Sequence, residues 1–418
     1  MNTRISAIIA ALLLTASTSF PSAKPNILIM IADDLGYADI GVQGCTDVPT
    51  PNIDSIAKSG VRFTSGYVTA PVCSPSRAGL MTGRWQTRFG HEFNHPMADR
   101  SPVGLPLTEK LAAQWFKENG YATGHVGKWH LGNPNIPEFH PNARWFAESV
   151  WFGGQKKLPP LQFFRNGEQG KTDDRYVDEA IAREAAAFVG KHRNEPWFQY
   201  FAFLTPHQPL DAPPGADAAF AGIADPTRKK FAAMMTLLDG SVGTILKTLR
   251  ETGQEERTLI VFLSDNGAQP KNGSRNTPLT GNKGTTWEGG LRVPFVMQWK
   301  GVVPAGRVVD AQVISLDLLP TALAAAGVKV SADAKFDGVN LLPFLTGEKS
   351  GAPHDALYWR FGEQMAIRAG DYKLVRYDSN ADTRTGKRNQ PVTGAKLYNL
   401  SMDISETKDL AVAQPERV

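Results

Sequence analysis

Three stretches of the chain are apolar almost without interruption: Asn26 to Ala32, Trp197 to Leu204 and Thr258 to Ser264. A strand with one wet face alternates apolar and polar residues. A continuous run suits a strand covered by helices on both faces, as in a parallel sheet. Helical periodicity occupies Leu107 to Asn119, Tyr176 to His192 and Arg228 to Glu251. The pattern predicts an α/β fold with a large, mostly parallel central sheet flanked by helices. From Gly347 to Pro353 the composition turns loop-like. Beyond it, Ala356 to Trp359, Gln364 to Ala369, Tyr372 to Tyr377 and Lys396 to Asn399 read as short strands of an antiparallel unit. The expected division is a main domain over 24–346 and a small C-terminal subdomain over 347–418.

The first 23 residues follow a different logic. Arg4 precedes an apolar stretch from Ile5 to Leu14, then Ser/Thr-rich sequence up to Ala23. That stretch is too short to span a bilayer, so 1–23 is expected to be a signal peptide rather than a stable membrane anchor. Export to the periplasm or the exterior follows as an expectation. Cys45 and Cys73 are the only cysteines, which gives no disulfide framework, and Cys45 has no assigned role. The net charge of +4 and hydrophobic content of 42% allow an anionic substrate and a large core. No basic block interleaved with aromatics points to nucleic acid.

Candidate chemistry sits beside the apolar runs. Asp33-Asp34 closes the first and Asp265-Asn266 the last. Open α/β sheets bind ligands beyond the carboxyl ends of their strands, so the doublets could share one site. Their oxygens suit a hard cation, Ca²⁺ or Mg²⁺, better than zinc. The plainer reading, a capped turn at each doublet, stays open. Cys73-Ser74-Pro75-Ser76-Arg77 reads as a helix start, with Ser74 as cap and Pro75 in the first turn. Cys73 would then face free N–H groups that favour a sulfate or a thiolate. A buried structural cysteine is the bland alternative. A phosphatase-type thiol nucleophile wants arginine six positions on, where Gly79 stands.

Lys128-Trp129-His130 in an extended segment would put a cation and an imidazole on one side. A P-loop is excluded at Gly127-Lys128, because Trp129 stands where Ser or Thr is required. His207 lies between Pro206 and the Gln208-Pro209 step, and Lys283 lies in a glycine-rich stretch ending in Glu288-Gly289-Gly290. His91-Glu92-Phe93-Asn94-His95 matches a zinc-protease pattern, yet Gly90 and Pro96 leave no helix to carry it.

Together these motifs resemble, in order, those of the type I sulfatases. They are Asp33-Asp34-Leu35-Gly36, Thr50-Pro51-Asn52-Ile53-Asp54, the Cys73 pentapeptide, Gly127 to Gly132, Pro206-His207, Ser264 to Gly267, and Lys283 with Glu288-Gly289-Gly290. The resemblance implies an alkaline-phosphatase-like fold and a Ca²⁺ site, in preference to Mg²⁺. It implies that Asp33, Asp34, Asp265 and Asn266 hold the cation, with Cys73 completing the shell. A maturation enzyme would oxidise Cys73 to formylglycine (3-oxoalanine), whose hydrated aldehyde is the nucleophile. Arg77 would orient that diol, His130 would serve it, Lys128 and Lys283 would bind sulfate, and His207 would protonate the leaving oxygen.

Two departures stand out. The resemblance implies a further helix after Pro415-Glu416-Arg417, so the C-terminal subdomain is expected to be short or truncated. Trp145 to Pro160, with Trp151, departs from the family wording; it would line the substrate cleft or pack on the core. The expected substrate is sulfated carbohydrate. The rival readings are an arylsulfatase and a phosphate- or phosphonate-ester hydrolase of the same superfamily.

Overall fold

The structure is a computed structural model that describes residues 24–94, 102–152, 156–173, 175–331, 334–376 and 394–418, with backbone alone at 171–173. The expected signal peptide, His95 and Pro96 of the zinc-like motif, residues 153–155 and Tyr377 lie outside the described residues.

The three apolar runs form the centre of a ten-stranded sheet as Asn26–Asp33, Trp197–Pro206 and Thr258–Ser264. Across the sheet the strands run Arg307–Val309, Val61–Phe63, Phe295–Gln298, Thr258–Ser264, Asn26–Asp33, Trp197–Pro206, Ala122–Gly127, Glu148–Phe152, Leu161–Arg165 and Glu168–Asp173. Only Phe295–Gln298 and Leu161–Arg165 run against the other strands. Alternate residues of the first strand enter opposite cores. Ile27, Ile29 and Ile31 pack with the helices Cys73–Thr82, Ala112–Glu118 and Leu318–Ala325. Leu28, Met30 and Ala32 pack with Pro51–Lys58, Val177–Lys191 and Pro226–Glu251. Helices on both faces are why the run has no polar alternation.

Pro226–Glu251 starts as its sequence dictates: the Asp225 side chain accepts from Thr227 N, and Pro226 occupies the first turn. The helix expected from Leu107 begins only at Ala112. Leu107 is exposed, so the first part of that periodic run has no core to face.

Ala356–Phe361, Gln364–Ala369, Tyr372–Arg376 and Lys396–Asn399 form a separate four-stranded antiparallel meander. It docks through Leu357, Trp359, Ala366, Val375 and Tyr398 onto Tyr67, Trp287 and Leu291 of the main unit. A buried ionic cluster crosses the same seam. Lys373 Nζ lies 3.0 Å from Glu288 Oε1 and 3.0 Å from Glu406 Oε1, with all three side chains buried. Burial pushes Glu406 up to about 7 against the pull of Lys373. Lys373→Met is expected to cost about 3–5 kcal/mol of stability, because it leaves buried carboxylates without their shared cation. Denaturant unfolding checks this; a loss under about 1 kcal/mol would mean that the cluster does not brace the seam.

Candidate active site

The parallel core brings distant residues to one edge. Asp33 ends its strand opposite Pro206, and Ala32 pairs with Ser264. Gly127 pairs with Ala202 on the far side of the Trp197–Pro206 strand. Asp34, Asp265, Asn266, Lys128 and His207 therefore all leave the carboxyl ends of four adjacent strands, the position open α/β sheets use for ligands. Gly127 permits the closest approach. Its φ is +100°, and a Cβ there would stand 1.8 Å from Ala202 O.

Three carboxylates meet three cations in this buried edge. Lys128 Nζ lies 2.8 and 2.7 Å from the two oxygens of Asp33. Lys283 Nζ lies 2.8 Å from Asp34 Oδ2. Arg77 donates from Nε and Nη2 to Asp265 Oδ2 at 2.9 and 2.7 Å. Burial alone would raise the Asp33 carboxyl, but Lys128, His207, Arg77 and Lys283 hold it well below the ordinary range. Burial pushes Asp265 up to about 6 against Arg77, while both its oxygens accept hydrogen bonds, Oδ2 from Arg77 and Oδ1 from Asp34 N. Both lysines are raised against the cost of burial, chiefly by Asp33 for Lys128 and by Asp34 for Lys283.

Cys73 sits within the cluster, its Sγ 3.5 Å from Asp33 Oδ1 and 3.7 Å from Asp34 Oδ1. It opens the helix Cys73–Thr82, all of whose residues are buried. The expected cap is not the one found. Val72 is the N-cap and makes no side-chain cap bond; Ser74 N is instead satisfied by Asn94 Oδ1 at 2.9 Å. The Ser74 hydroxyl bonds His91 Nε2 at 2.7 Å and His130 O at 2.6 Å. Neither does the helix terminus make a thiolate. Burial, with Asp265 adding to it, drives the Cys73 thiol well above its usual range. Desolvation and carboxylate repulsion outweigh the helix dipole and the lysines.

Two histidines flank the thiol. His207 Nδ1 lies 2.5 Å from Gln208 O, which can only accept, so Nδ1 carries the proton and Nε2 is the titrating nitrogen. Nε2 faces Asp34 Oδ2 at 3.5 Å. Burial lowers His207, with Asp33 and Asp34 opposing. Lys128 and His130 are not in an extended segment: the strand ends at Gly127 and His130 has φ +56°. Burial, then Lys128 and Arg77, push His130 well below its usual range. Asp34 is also left-handed, at φ +68°, so two non-glycine residues of the edge are held in a conformation that costs energy.

Among the donors at this edge, the oxygens of Asp33, Asp34 and Asn266 are the ones that fit a hard cation. Asp33, Asp34, Cys73 and His207 offer ligand atoms all within 4.8 Å of one another. Asn266 donates from Nδ2 to Asp34 Oδ1 at 2.7 Å, while its Oδ1 is buried with no hydrogen-bond partner among the described residues. An orphaned carbonyl oxygen beside two carboxylates is what an oxygen-seeking ion would satisfy. Asp265 is already engaged, its Oδ1 accepting Asp34 N at 3.1 Å and its Oδ2 taking Arg77.

Sequence reasoning did not find Tyr200, whose hydroxyl lies 3.3 Å from Arg77 Nη1, nor the support of Ser74 by His91 and Asn94. Tyr200 is hidden within an apolar strand and carries no motif signal. The zinc-like motif dissolves among the described residues. His91 holds Ser74, Glu92 pairs with Arg360, and 91–94 is not helical. Trp151 does not line the cleft; it is buried in a strand and stacks on Phe164 at 4.4 Å. Phe152, Lys156 and Pro160 of the same stretch do line a cavity of about 480 Å³ with Pro134 and Asn135.

Known proteins share this arrangement of chain. The sulfatase family profile matches residues 25–328, and one described as N-sulphoglucosamine sulphohydrolase, C-terminal, matches 282–412. N-acetylgalactosamine-6-sulfatase of Mus musculus is 35% identical over 382 residues, covering 84% of this chain and 71% of its own length. Arylsulfatase A of Homo sapiens is 31% identical over 459 residues, covering 97% and 88%. The structure of Ps i-CgsB in complex with k-i-k-neocarrahexaose superposes with a TM-score of 0.85 at 37% identity, covering 94% and 90%. At 22% identity, the phosphonate monoester hydrolase of Agrobacterium radiobacter shares the fold with a TM-score of 0.67, covering 94% and 93%. Because the first profile spans every strand of the ten-stranded sheet and the relatives match along most of the chain, the protein belongs to the sulfatase family and is a sulfuric ester hydrolase of alkaline-phosphatase-like fold.

Proposed function

We propose that this sulfatase acts on sulfated carbohydrate, with Cys73 converted to formylglycine and Ca²⁺ held by Asp33, Asp34, Asn266 and Asp265. The observation that carries the reading is Cys73 itself, an un-ionised thiol buried among three carboxylates and three cations. A neutral thiol there is a poor nucleophile, whereas an aldehyde hydrate needs no ionised sulfur. Conversion requires a maturation enzyme to reach Cys73 before folding closes over it, since the residue is 1% exposed. Carbohydrate is supported by the relatives that act on N-acetylgalactosamine-6-sulfate or were solved with neocarrahexaose. Export through residues 1–23, to the periplasm or exterior, belongs to the same proposal and rests on the leader pattern.

Bound at the carboxylates, Ca²⁺ supplies a Lewis acid for the sulfate oxygens. The residues of the chain do the rest. Lys128 and Lys283 remain ammonium groups and hold the sulfate; Arg77, fixed by Asp265, orients the nucleophile. Lys128, Lys283 and Arg77 offset the charge of the three carboxylates, so a bound divalent cation would leave the site attractive to an anionic ester. His130 serves the diol. His207 gives the proton on Nε2 to the leaving sugar oxygen, while its Nδ1 stays tied to Gln208.

A substrate and metal panel tests the proposal: sulfated oligosaccharides, an aryl sulfate and a phosphate monoester, before and after chelation. Sulfated saccharide should be cleaved, chelation should abolish turnover, and Ca²⁺ should restore it where Zn²⁺ does not. Cleavage of aryl or phosphate esters alone would overturn the carbohydrate assignment. Stoichiometric zinc without calcium in active enzyme would overturn the metal.

A further inference from the structure

We propose that Gln364 of the C-terminal meander positions Lys283, alongside the buried Lys373–Glu406 pair that holds Glu288 further along the same loop, so that the C-terminal unit completes the anion-binding half of the active site. The inference rests on Lys283 binding sulfate. Lys283 stands in an irregular, glycine-rich loop, and a lysine offers a point charge on a flexible stem. Asp34 holds its ammonium at 2.8 Å, and the place of the backbone sets the reach of the stem to that partner.

The main unit fixes that backbone at two points: Lys283 N donates to Ala268 O at 3.0 Å and Gly284 N to Pro71 O at 2.8 Å. Asn276 Nδ2 adds a bond to Gly281 O at 3.0 Å, and Lys283 Nζ reaches Asp34, both within the main unit; further bonds to the loop come from the C-terminal unit. Gln364 Nε2 donates to Gly284 O at 2.9 Å, so Gly284 is held through both its N–H and its carbonyl. Thr280 Oγ1 donates to Ser405 O at 2.6 Å, and Thr286 Oγ1 to Arg376 O at 3.1 Å. Glu288 N donates to Glu406 Oε2 at 2.8 Å, and the Glu288 carboxylate takes Lys373 on Oε1 and the Tyr67 hydroxyl on Oε2 at 2.6 Å. Tyr67 begins the segment that supplies Pro71 O and then Cys73. Glu288 thus braces the loop of Lys283 and the approach to the nucleophile together.

Gln364 itself points to a positioning role. It is 1% exposed, and its Oε1 is buried without a hydrogen-bond partner among the described residues. Leucine would fill the same buried space but would leave the Gly284 carbonyl without its amide donor. What it adds is the bond to Gly284.

Binding of inorganic sulfate to the full-length chain, measured by calorimetry, tests this without relying on turnover. Gln364→Leu should weaken sulfate binding about tenfold with only a modest fall in melting temperature, since the buried Gly284 carbonyl loses its partner; dependence of the binding loss on Lys283 is what a merely structural role would not give. In a Lys283→Ala background the same change should cost less than about twofold. Equal losses in both backgrounds, or no loss beside an intact Lys283, would overturn the proposal. Thr280→Val, which removes one hydroxyl from the brace, should show the same dependence on Lys283 and serves if Gln364→Leu does not fold. If Lys283→Ala alone leaves sulfate affinity unchanged, the sulfate-binding role of Lys283 fails, and the positioning proposal fails with it. Positioning alone fails if Lys283→Ala weakens binding and Gln364→Leu does not.

Discussion

Cys73→Ala is expected to abolish sulfate ester hydrolysis, by about 10⁴-fold or more, while leaving the protein folded. The side chain lies where Asp33, Asp34 and the start of a fully buried helix converge, and its loss removes the attacking group. The stability cost should stay near 1 kcal/mol, because one small side chain is trimmed and the helix keeps Asn94 on Ser74 N. Mass spectrometry of the peptide carrying residue 73 completes the test: active preparations should show aldehyde in place of thiol. Serine at 73 discriminates further. A hydroxyl can attack sulfur but cannot collapse to a carbonyl, so Cys73→Ser should stall with sulfate attached rather than turn over. Full activity in a preparation with Cys73 wholly as thiol would sink the mechanism.

His207→Ala should slow sugar-sulfate hydrolysis by about 10²–10⁴-fold and aryl-sulfate hydrolysis much less. The difference lies in the leaving group. A sugar alkoxide needs a proton as the sulfur–oxygen bond breaks; a phenolate leaves readily without one. His207 is built for the task, with Nδ1 fixed on Gln208 O and Nε2 turned toward Asp34 at the strand ends. Asp33, then Asp34, oppose the burial that disfavours its protonated form. Steady-state kinetics on both substrate types decides the matter. Equal losses on both would show that His207 binds or positions substrate instead of protonating the leaving oxygen.

Both predictions depend on Nε2 and Sγ sharing one small volume with the carboxylates, and no local property of the chain requires that. Asp33 and His207 are far apart in sequence, yet the register opposes Asp33 to Pro206. A slip of one residue would turn every inward side chain of the strand to the other face.

The sequence by itself determined the elements whose physics is local. Continuous apolar runs marked the three central strands, since helices on both faces leave no polar side to record. Short strand-like segments marked the meander, and helical periodicity from Arg228 marked the longest helix, whose start at Pro226 under the Asp225 cap the structure supplied. The motif residues at strand ends were legible because two oxygen-rich doublets each close a buried strand, at the edge where open α/β sheets bind ligands, although either doublet alone could be a capped turn. Ala122–Gly127 was not legible: with two glycines, a threonine and a histidine, it is a strand because parallel neighbours hold it on both sides. Tertiary structure also decided the ionisation of Cys73, where enclosure by carboxylates overrode the helix terminus that local reasoning favoured. It decided the capping of that helix, supplied by Asn94 from another loop. It decided, too, that the C-terminal meander reaches Gly284, beside Lys283. Each of these turns on burial and on contacts between residues remote in the chain, where desolvation and charge act through space and leave no period in the sequence to read.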